Sequence, residues 1–461
     1  MYFFKKSETK FELGFSRSNL NGSTKSPFRI PSGSSLFRVC IGQSLIISSH
    51  ELLSVALSQE DLFKLALNLQ DPWYIKSIEF SNEEKRLDLH IDFTPGSRFE
   101  CTVCKTPNNV IHDTKDRVWR HLNFFQFKTY IHARVPRTKC QKCGSIRLID
   151  VPWARRSAGF TLLMDSLILL FAQNMPVNAV AEIIDEHDTR IWRVLSHYIP
   201  ESRSKEDHSQ VKIVGVDETS CAKFHKYVSL FVDLDDNKVL YVCEGKDASV
   251  ISSFKEDLED HNGASENIEM FCSDMSPAFI SGITEQFPGS SLTFDKFHVM
   301  KIVNDAVDQV RREEQHYNAI LKNTRYVWLK NPNNLSLAEK EKLGSLKDMN
   351  LMTSKAYNFK LSLKDFWTYN DKLLAEDFLK KWYYWASHSQ IGPIIDAAKT
   401  IKSHWTGIIN YAETKISNGV LEGINSMVQS AKSSARGFRT TKNLILIIYL
   451  RLGKLQFNLP T

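Results

Sequence analysis

Two Cys-x-x-Cys pairs, Cys101 with Cys104 and Cys140 with Cys143, constrain this chain more than any other feature. One C-x2-C turn supplies two thiolates and a tetrahedral zinc ion takes four, so the two knuckles have to meet in space. The 35 residues between them contain two alternating stretches, 117–122 and 128–135, that read as a hairpin able to bring the knuckles together, and Gly144 directly after the second pair permits the backbone turn. With all four positions filled by sulfur, the expected zinc is structural. The other four cysteines, Cys40, Cys221, Cys243 and Cys272, are scattered, which is the arithmetic of a metal site in a reducing compartment and not of a disulfide framework.

Charge is segregated along the 461 residues. Residues 101–160 carry 12 Lys and Arg against 3 Asp, residues 211–300 carry 7 Lys against 16 acids, and after Glu422 there are 6 basic residues and no acid. Basic flanks around an acidic middle suit a protein that grips a polyanion at its ends and keeps carboxylates for metal at its centre. No apolar run approaches the roughly 20 residues that span a bilayer, so no membrane partner is expected. A secretory signal is not recognisable, and the expected location is a reducing cytoplasm. Residues 1–57 are rich in Ser and nearly free of acid to Glu51; they are read as a disordered tail or a mis-assigned start, although the composition also resembles a transit peptide.

Beyond this stretch the pattern changes several times. A short amphipathic helix over 62–69 precedes strands at 75–80 and 87–93, and the zinc-binding domain is expected to run over 58–158. Residues 159–200 are helical in three pieces, the last two with helix-turn-helix proportions: 177–184, a turn at 185–188, and 189–198. Ala181 is small where the helices would cross, and Ile184, Ile191 and Leu195 would seal their core. Asp188 is expected to cap the second helix, leaving Arg190, Arg193 and His197 for a DNA groove. A polar linker over 201–210 follows.

The next segment, 211–298, reads β-β-β-α-β-α-β, a mixed sheet with helices on its faces. Residues 299–411 form a helical insertion, and 412–461 bring a last helix with Glu422 and the basic tail. Asp217 follows the apolar run 211–216 and is expected to emerge at that strand's end; Asp274 stands in the same relation to 268–272. If those strands are neighbours the carboxylates repel unless a cation sits between them, and magnesium accepts such oxygen ligands. Glu422 could supply a third. Two ions, Mg2+ or Mn2+, held in this way suit in-line phosphodiester chemistry. Lys432, Arg436 and Arg439 follow Glu422 closely enough to neutralise DNA phosphates. Asp233, Asp235 and Asp236 are assigned to a solvated hairpin.

These stretches together resemble the insertion-sequence transposases of the ISL3 family. The residues that carry the likeness are the two cysteine pairs, the helix pair at 177–198, Val214-Gly-Val-Asp-Glu218, Cys272-Ser-Asp-Met-Ser-Pro277, Phe294-Asp-Lys-Phe-His-Val299 and Asn418-Gly-Val-Leu-Glu-Gly-Ile-Asn425. The resemblance implies an α+β multidomain chain: a zinc-ribbon-like module, a helix-turn-helix and a ribonuclease-H-like core interrupted by helices. It implies Asp217, Asp274 and Glu422 as a DDE triad, Asp295 and His298 as supporting residues, magnesium dependence, and binding to terminal inverted repeats and target DNA as a homo-oligomer, and it narrows the expected location to the nucleoid of a prokaryote. Asp295 is also a rival for the second catalytic aspartate; Asp274 is preferred because it follows an apolar strand, and His298 gives Asp295 a local partner. Two other readings fit the same residues, a non-catalytic DNA-binding regulator derived from a transposase and a structure-selective nuclease of the same fold.

Overall fold

A computed structural model describes residues 58–222, 226–416 and 419–460; the tail expected over 1–57 lies outside the described residues. Helix α1 (Gln59–Ala66) starts at Ser58, whose hydroxyl accepts the Asp61 N–H at 3.0 Å. Five strands follow: β1 (Trp73–Ser81), β2 (Arg86–Phe93), β3 (Ile111–Arg120), β4 (Lys128–Lys139) and β5 (Ile146–Leu148). They form one mixed sheet of order β1-β2-β4-β3, with β5 on β4. The expected hairpin is β3 and β4, antiparallel and extended at the end away from the turn, with β3 stopping at Arg120, while β2 joins β4 in parallel. Alternation sends Leu87, Leu89, Ile91, Ile131, Ala133 and Val135 to one buried face, where Trp73, Trp119 and Trp153 close a core of its own.

Three helices come next: α2 (Leu162–Asn174), α3 (Val177–Ile184) and α4 (Asp188–Arg203). Ala181, Ile184, Ile191 and Leu195 are buried between them. The cap differs from expectation. His187, not Asp188, accepts the Thr189 N–H, because the chain leaves α3 through Asp185 at φ +53° and enters α4 one residue earlier than the polar pattern suggests. Helix α4 also runs on to Arg203, so the segment read as a linker begins as helix. Arg203 then bonds the Asp257 carboxylate at 2.5 Å and the Leu240 carbonyl at 2.8 Å, which fastens the end of α4 to the following domain.

The second sheet holds β6 (Ile213–Ala222), β7 (Lys226–Asp233), β8 (Lys238–Glu244), then after α5 (Ser249–Asp260) β9 (Met270–Ser273), and after α6 (Pro277–Gln286) β10 (Ser291–Phe294). Its order is β10-β9-β6-β7-β8, with β6, β7 and β8 antiparallel and β6, β9 and β10 parallel. The helical insertion comprises α7 (Lys296–Gln315), α8 (Arg325–Leu329), α9 (Leu337–Lys347), α10 (Met352–Phe366), α11 (Lys372–Ser387), α12 (Gly392–Ser403) and α13 (Trp405–Thr414), built around Trp328, Tyr357 and Trp382. Two last helices, α14 (Gly419–Ser434) and α15 (Thr441–Leu452), complete the chain.

Val214, Val216 and Phe231 pack on α5 and α6 through Ile251, Phe254 and Phe279. On the opposite face Val228, Leu230 and Val232 share one core with α14, α15 and the three helices α2 to α4. Helix-turn-helix and sheet are therefore held by the same apolar burial, at about 1.5–3 kcal/mol for each fully buried aliphatic side chain. Asp233, expected in solvent, is 7% exposed and accepts the N–H groups of Asp235 and Asp236, closing the β7–β8 turn. A short polar side chain facing its own turn finds donors there that water would otherwise supply.

Candidate active site

Register places three aspartates side by side. Val216 on β6 pairs with Ser273 on β9, and Ser273 pairs with Phe294 on β10. The next residue in each strand is Asp217, Asp274 and Asp295. Asp217 does not end its strand as expected; β6 continues to Ala222 against β7, so Asp217 emerges where the parallel pairing stops. The Asp274 Oδ1 accepts the Ser276 N–H at 3.0 Å at the entry to α6. Asp295 is 3% exposed, its N–H donates to the Ser273 carbonyl at 3.1 Å, and its Oδ2 lies 3.0 Å from His298 Nδ1.

The electrostatics follow from this crowding. Burial pushes the Asp217 carboxyl up to about 6, opposed by the Glu218 N–H and His298 and reinforced by Asp274 and Asp295. The hydrogen bond to Asp295 holds the His298 imidazole above its usual range. Three carboxylates stand at one sheet edge, one of them resisting ionisation; hard oxygens of this kind suit a divalent cation such as magnesium, but among the described residues the three do not come within the 4.8 Å mutual reach of one metal shell.

Glycine 215 brings the last helix onto this edge. A Cβ there would stand 2.8 Å from side-chain carbons of Leu421 on α14 and of Leu234, so any larger residue would push these side chains aside. One turn on, the Asn425 Nδ2 donates to Asp217 Oδ2 at 2.6 Å; Gln429 Nε2 donates to Thr219 Oγ1 at 2.7 Å, and Lys432 Nζ to the Ser220 carbonyl at 2.8 Å. Residues 425, 429 and 432 share one helical stripe, and Glu422 precedes it by three positions. Glu422 itself is exposed, and Asp217, Asp274 and Glu422 do not come within the 4.8 Å mutual reach of one metal shell. Sequence reading missed Asn425 and Gln429. The signal was their spacing from Glu422, which places them on the same side of one helix.

Of the residues expected at DNA, Arg193 and His197 are exposed on α4 and Arg436 and Arg439 on the loop after α14. Arg193 and Arg439 line a cavity of about 450 Å3 with Trp192 and Phe438. Arg190 is engaged elsewhere: it bonds Glu186, donates to the Gly159 carbonyl at 2.9 Å and lies 4.0 Å from the centre of the Phe160 ring. Lys432 likewise spends its ammonium on β6.

The four cysteines converge. Cys101 Sγ is 3.7 Å from Cys143 Sγ and Cys104 Sγ is 3.4 Å from Cys140 Sγ. A tetrahedron with zinc–sulfur bonds of about 2.3 Å has edges of roughly 3.8 Å, so the donor set fits a structural zinc ion. Backbone N–H groups of Cys104 and Val103 bring the Cys101 thiol down to about 6, which favours the thiolate a metal needs.

Comparison with known proteins agrees with this order of parts. Residues 97–143 match the zinc-finger of transposase IS204/IS1001/IS1096/IS1165, residues 149–199 the helix-turn-helix domain of transposase family ISL3, and residues 214–448 the ISL3 family model described as transposase. The transposase for insertion sequence element IS1001 of Bordetella parapertussis is 26% identical over 356 residues, covering 76% of this chain and 87% of that protein. The transposase for insertion sequence element IS1557 of Mycobacterium tuberculosis is 24% identical over 373 residues, covering 75% and 83%.

Proposed function

This chain belongs to the ISL3 family of transposases, and from that premise we propose that it binds the terminal inverted repeats of an insertion sequence, cuts DNA there and joins the freed ends to target DNA. The observation that carries the chemistry is the row of Asp217, Asp274 and Asp295 where the parallel pairing of β6, β9 and β10 stops, with the Glu422 helix bonded to Asp217 through Asn425. Asp217, Asp274 and Glu422 would hold two Mg2+ ions, or Mn2+; when bound, such ions activate the attacking oxygen and stabilise the leaving one. Asp217, Asp274 and Glu422 do not share one metal shell in this structure, so a movement that brings the three carboxylates together on DNA belongs to this reading.

The residues of the chain have separate tasks in this scheme. Asn425 orients the Asp217 carboxylate by a hydrogen bond, and His298 balances the buried charge of Asp295 beside it. Arg193, His197, Arg436 and Arg439 meet DNA, the first two from the helix-turn-helix. A homo-oligomer assembled on DNA would form the active complex. Purified protein incubated with labelled element ends should nick and join them only with Mg2+ or Mn2+, and Asp217→Asn, Asp274→Asn or Glu422→Gln should each lower cleavage by orders of magnitude while end binding survives. Normal cleavage by all three amide variants would sink the proposed triad, and binding of the ends without any cleavage by the wild type in Mg2+ or Mn2+ would leave a DNA-binding regulator as the better description.

A further inference from the structure

A second group of metal-ligand side chains lies away from both the carboxylate edge and the cysteine knuckles. His208, Asp257 and His261 each bring one ligand atom within 4.8 Å of the other two. His208 is 1% exposed, yet neither its Nδ1 nor its Nε2 has a hydrogen-bond partner. A neutral imidazole carries one N–H donor and one lone pair, and leaving both unmet in the interior is a cost that native structures rarely bear. A metal ion at the lone pair removes half of that cost directly.

The surroundings are arranged as an outer shell would be. His261 is 8% exposed, and its Nδ1 lies 2.6 Å from the Asp257 carbonyl, which fixes the tautomer and leaves the other ring nitrogen as an acceptor. The two rings stack with centroids 4.9 Å apart, and the backbone N–H of His208 donates to the backbone carbonyl of His261 at 2.8 Å. Arg203 holds the Asp257 Oδ2 at 2.5 Å, while Glu206 lies 3.8 Å from His208 Nε2 and 2.9 Å from Lys238. A cavity of about 180 Å3 touches His208 and is lined by Asp207, Asp233, Asp235 and Asp236 together with Lys238, so the surface beside His208 carries net negative charge.

We propose that His208, His261 and Asp257 form a second transition-metal site, for a divalent ion of the Zn2+ class, that pins the 204–210 connector to the end of α5. Two imidazoles and one carboxylate favour zinc, cobalt or nickel over magnesium or calcium, which prefer oxygen. The connector joins α4, which carries Arg193, to β6, which carries Asp217 nine residues after His208. An ion here sets the distance between the DNA-reading helix and the catalytic edge, a task separate from both zinc ribbon and active site.

Full-length protein loaded with zinc and dialysed into a zinc-buffered, magnesium-free solution should carry two zinc ions per chain, and His208→Phe, which keeps the ring stack without a ligand atom, should carry one. Asp217→Asn should keep both. In cobalt-substituted protein the sulfur-to-cobalt charge-transfer bands of the cysteine site should persist in His208→Phe while the weaker bands of the nitrogen and oxygen site vanish. One zinc per wild-type chain overturns the proposal without any variant, as does a second ion that survives His208→Phe and leaves with Asp217→Asn. Should His208→Phe not fold, His261→Gln carries the same comparison.

Discussion

Asn425 on α14 donates its amide to Asp217 on β6 at 2.6 Å, across 208 positions of sequence. This bond ties the helix that bears Glu422 to the strand that bears the first aspartate, and it uses one oxygen of a carboxylate that burial keeps hard to ionise. Asn425→Ala should therefore loosen both partners at once. Outer-shell substitutions at metal sites typically cost about 10–100-fold in activity or metal affinity. A shift of the magnesium dependence of cleavage to higher concentration, with end binding retained, is the expected result; an unchanged magnesium titration would show that the bond serves folding alone.

Asp274 and Asp295 can be told apart by their partners. Asp274 accepts the Ser276 N–H at the head of α6, whereas Asp295 is buried and paired with His298. Asp274→Asn should abolish cleavage with little change in melting. Asp295→Asn should destabilise the fold by about 1–3 kcal/mol through the lost charged hydrogen bond, and keep measurable cleavage at saturating Mg2+. The reverse pattern would make Asp295 the second catalytic carboxylate.

The Asp217 carboxyl stands at about 6 in the folded protein against an ordinary 3.8. The folded state thus holds this proton more tightly than the unfolded chain, so the metal-free protein should be most stable with Asp217 protonated and lose stability as pH rises from about 4 to about 6. The loss is at most about 3 kcal/mol from this group. His298, held above its usual range by Asp295, adds stability at low pH that fades as pH climbs past its raised value. Denaturant midpoints of wild type and Asp217→Asn across this range, without magnesium, should differ in slope below pH 6; parallel curves would refute the assignment.

Arg190 and Arg193 sit one turn apart on α4 and should behave differently. Arg190→Ala removes the bonds to Gly159 and Glu186 and the contact with Phe160, so it should lower stability by about 1–3 kcal/mol and affect DNA only in proportion. Arg193→Ala should leave the melt unchanged and, if its side chain meets a base edge, cost about 1–3 kcal/mol on cognate ends with loss of discrimination. Equal weakening on cognate and random DNA would mark Arg193 as a phosphate contact.

Cys140→Ser should lower the zinc content by one equivalent and open the knuckles at the end of β3 and β4. The sheet built on Leu87, Leu89 and Ile131 has a core distinct from that of β6, β9 and β10, so the catalytic domain should keep its protection. Hydrogen exchange over 97–143 compared with 270–294 reads the difference, and uniform loss of protection would join the two domains into one cooperative unit.

Local chemistry was legible from the sequence. The knuckles, the strand alternation, the helix pair and the apolar runs before Asp217 and Asp274 depend on residues within a dozen positions of one another, where spacing maps directly onto geometry. Sequence therefore determined which elements form, in what order, and that carboxylates follow strands. Tertiary structure decided what meets. Parallel pairing of β6, β9 and β10 aligned Asp295 with the other two aspartates, Gly215 admitted α14 close enough for Asn425 to reach Asp217, and the sheet and the helix-turn-helix were drawn into one core. The same packing turned Arg190 inward and buried His208 beside His261. Such contacts span tens to hundreds of residues, and apolar burial that drives them is non-directional, so no local pattern announces them; register and close approach select the partners only once the layers have packed.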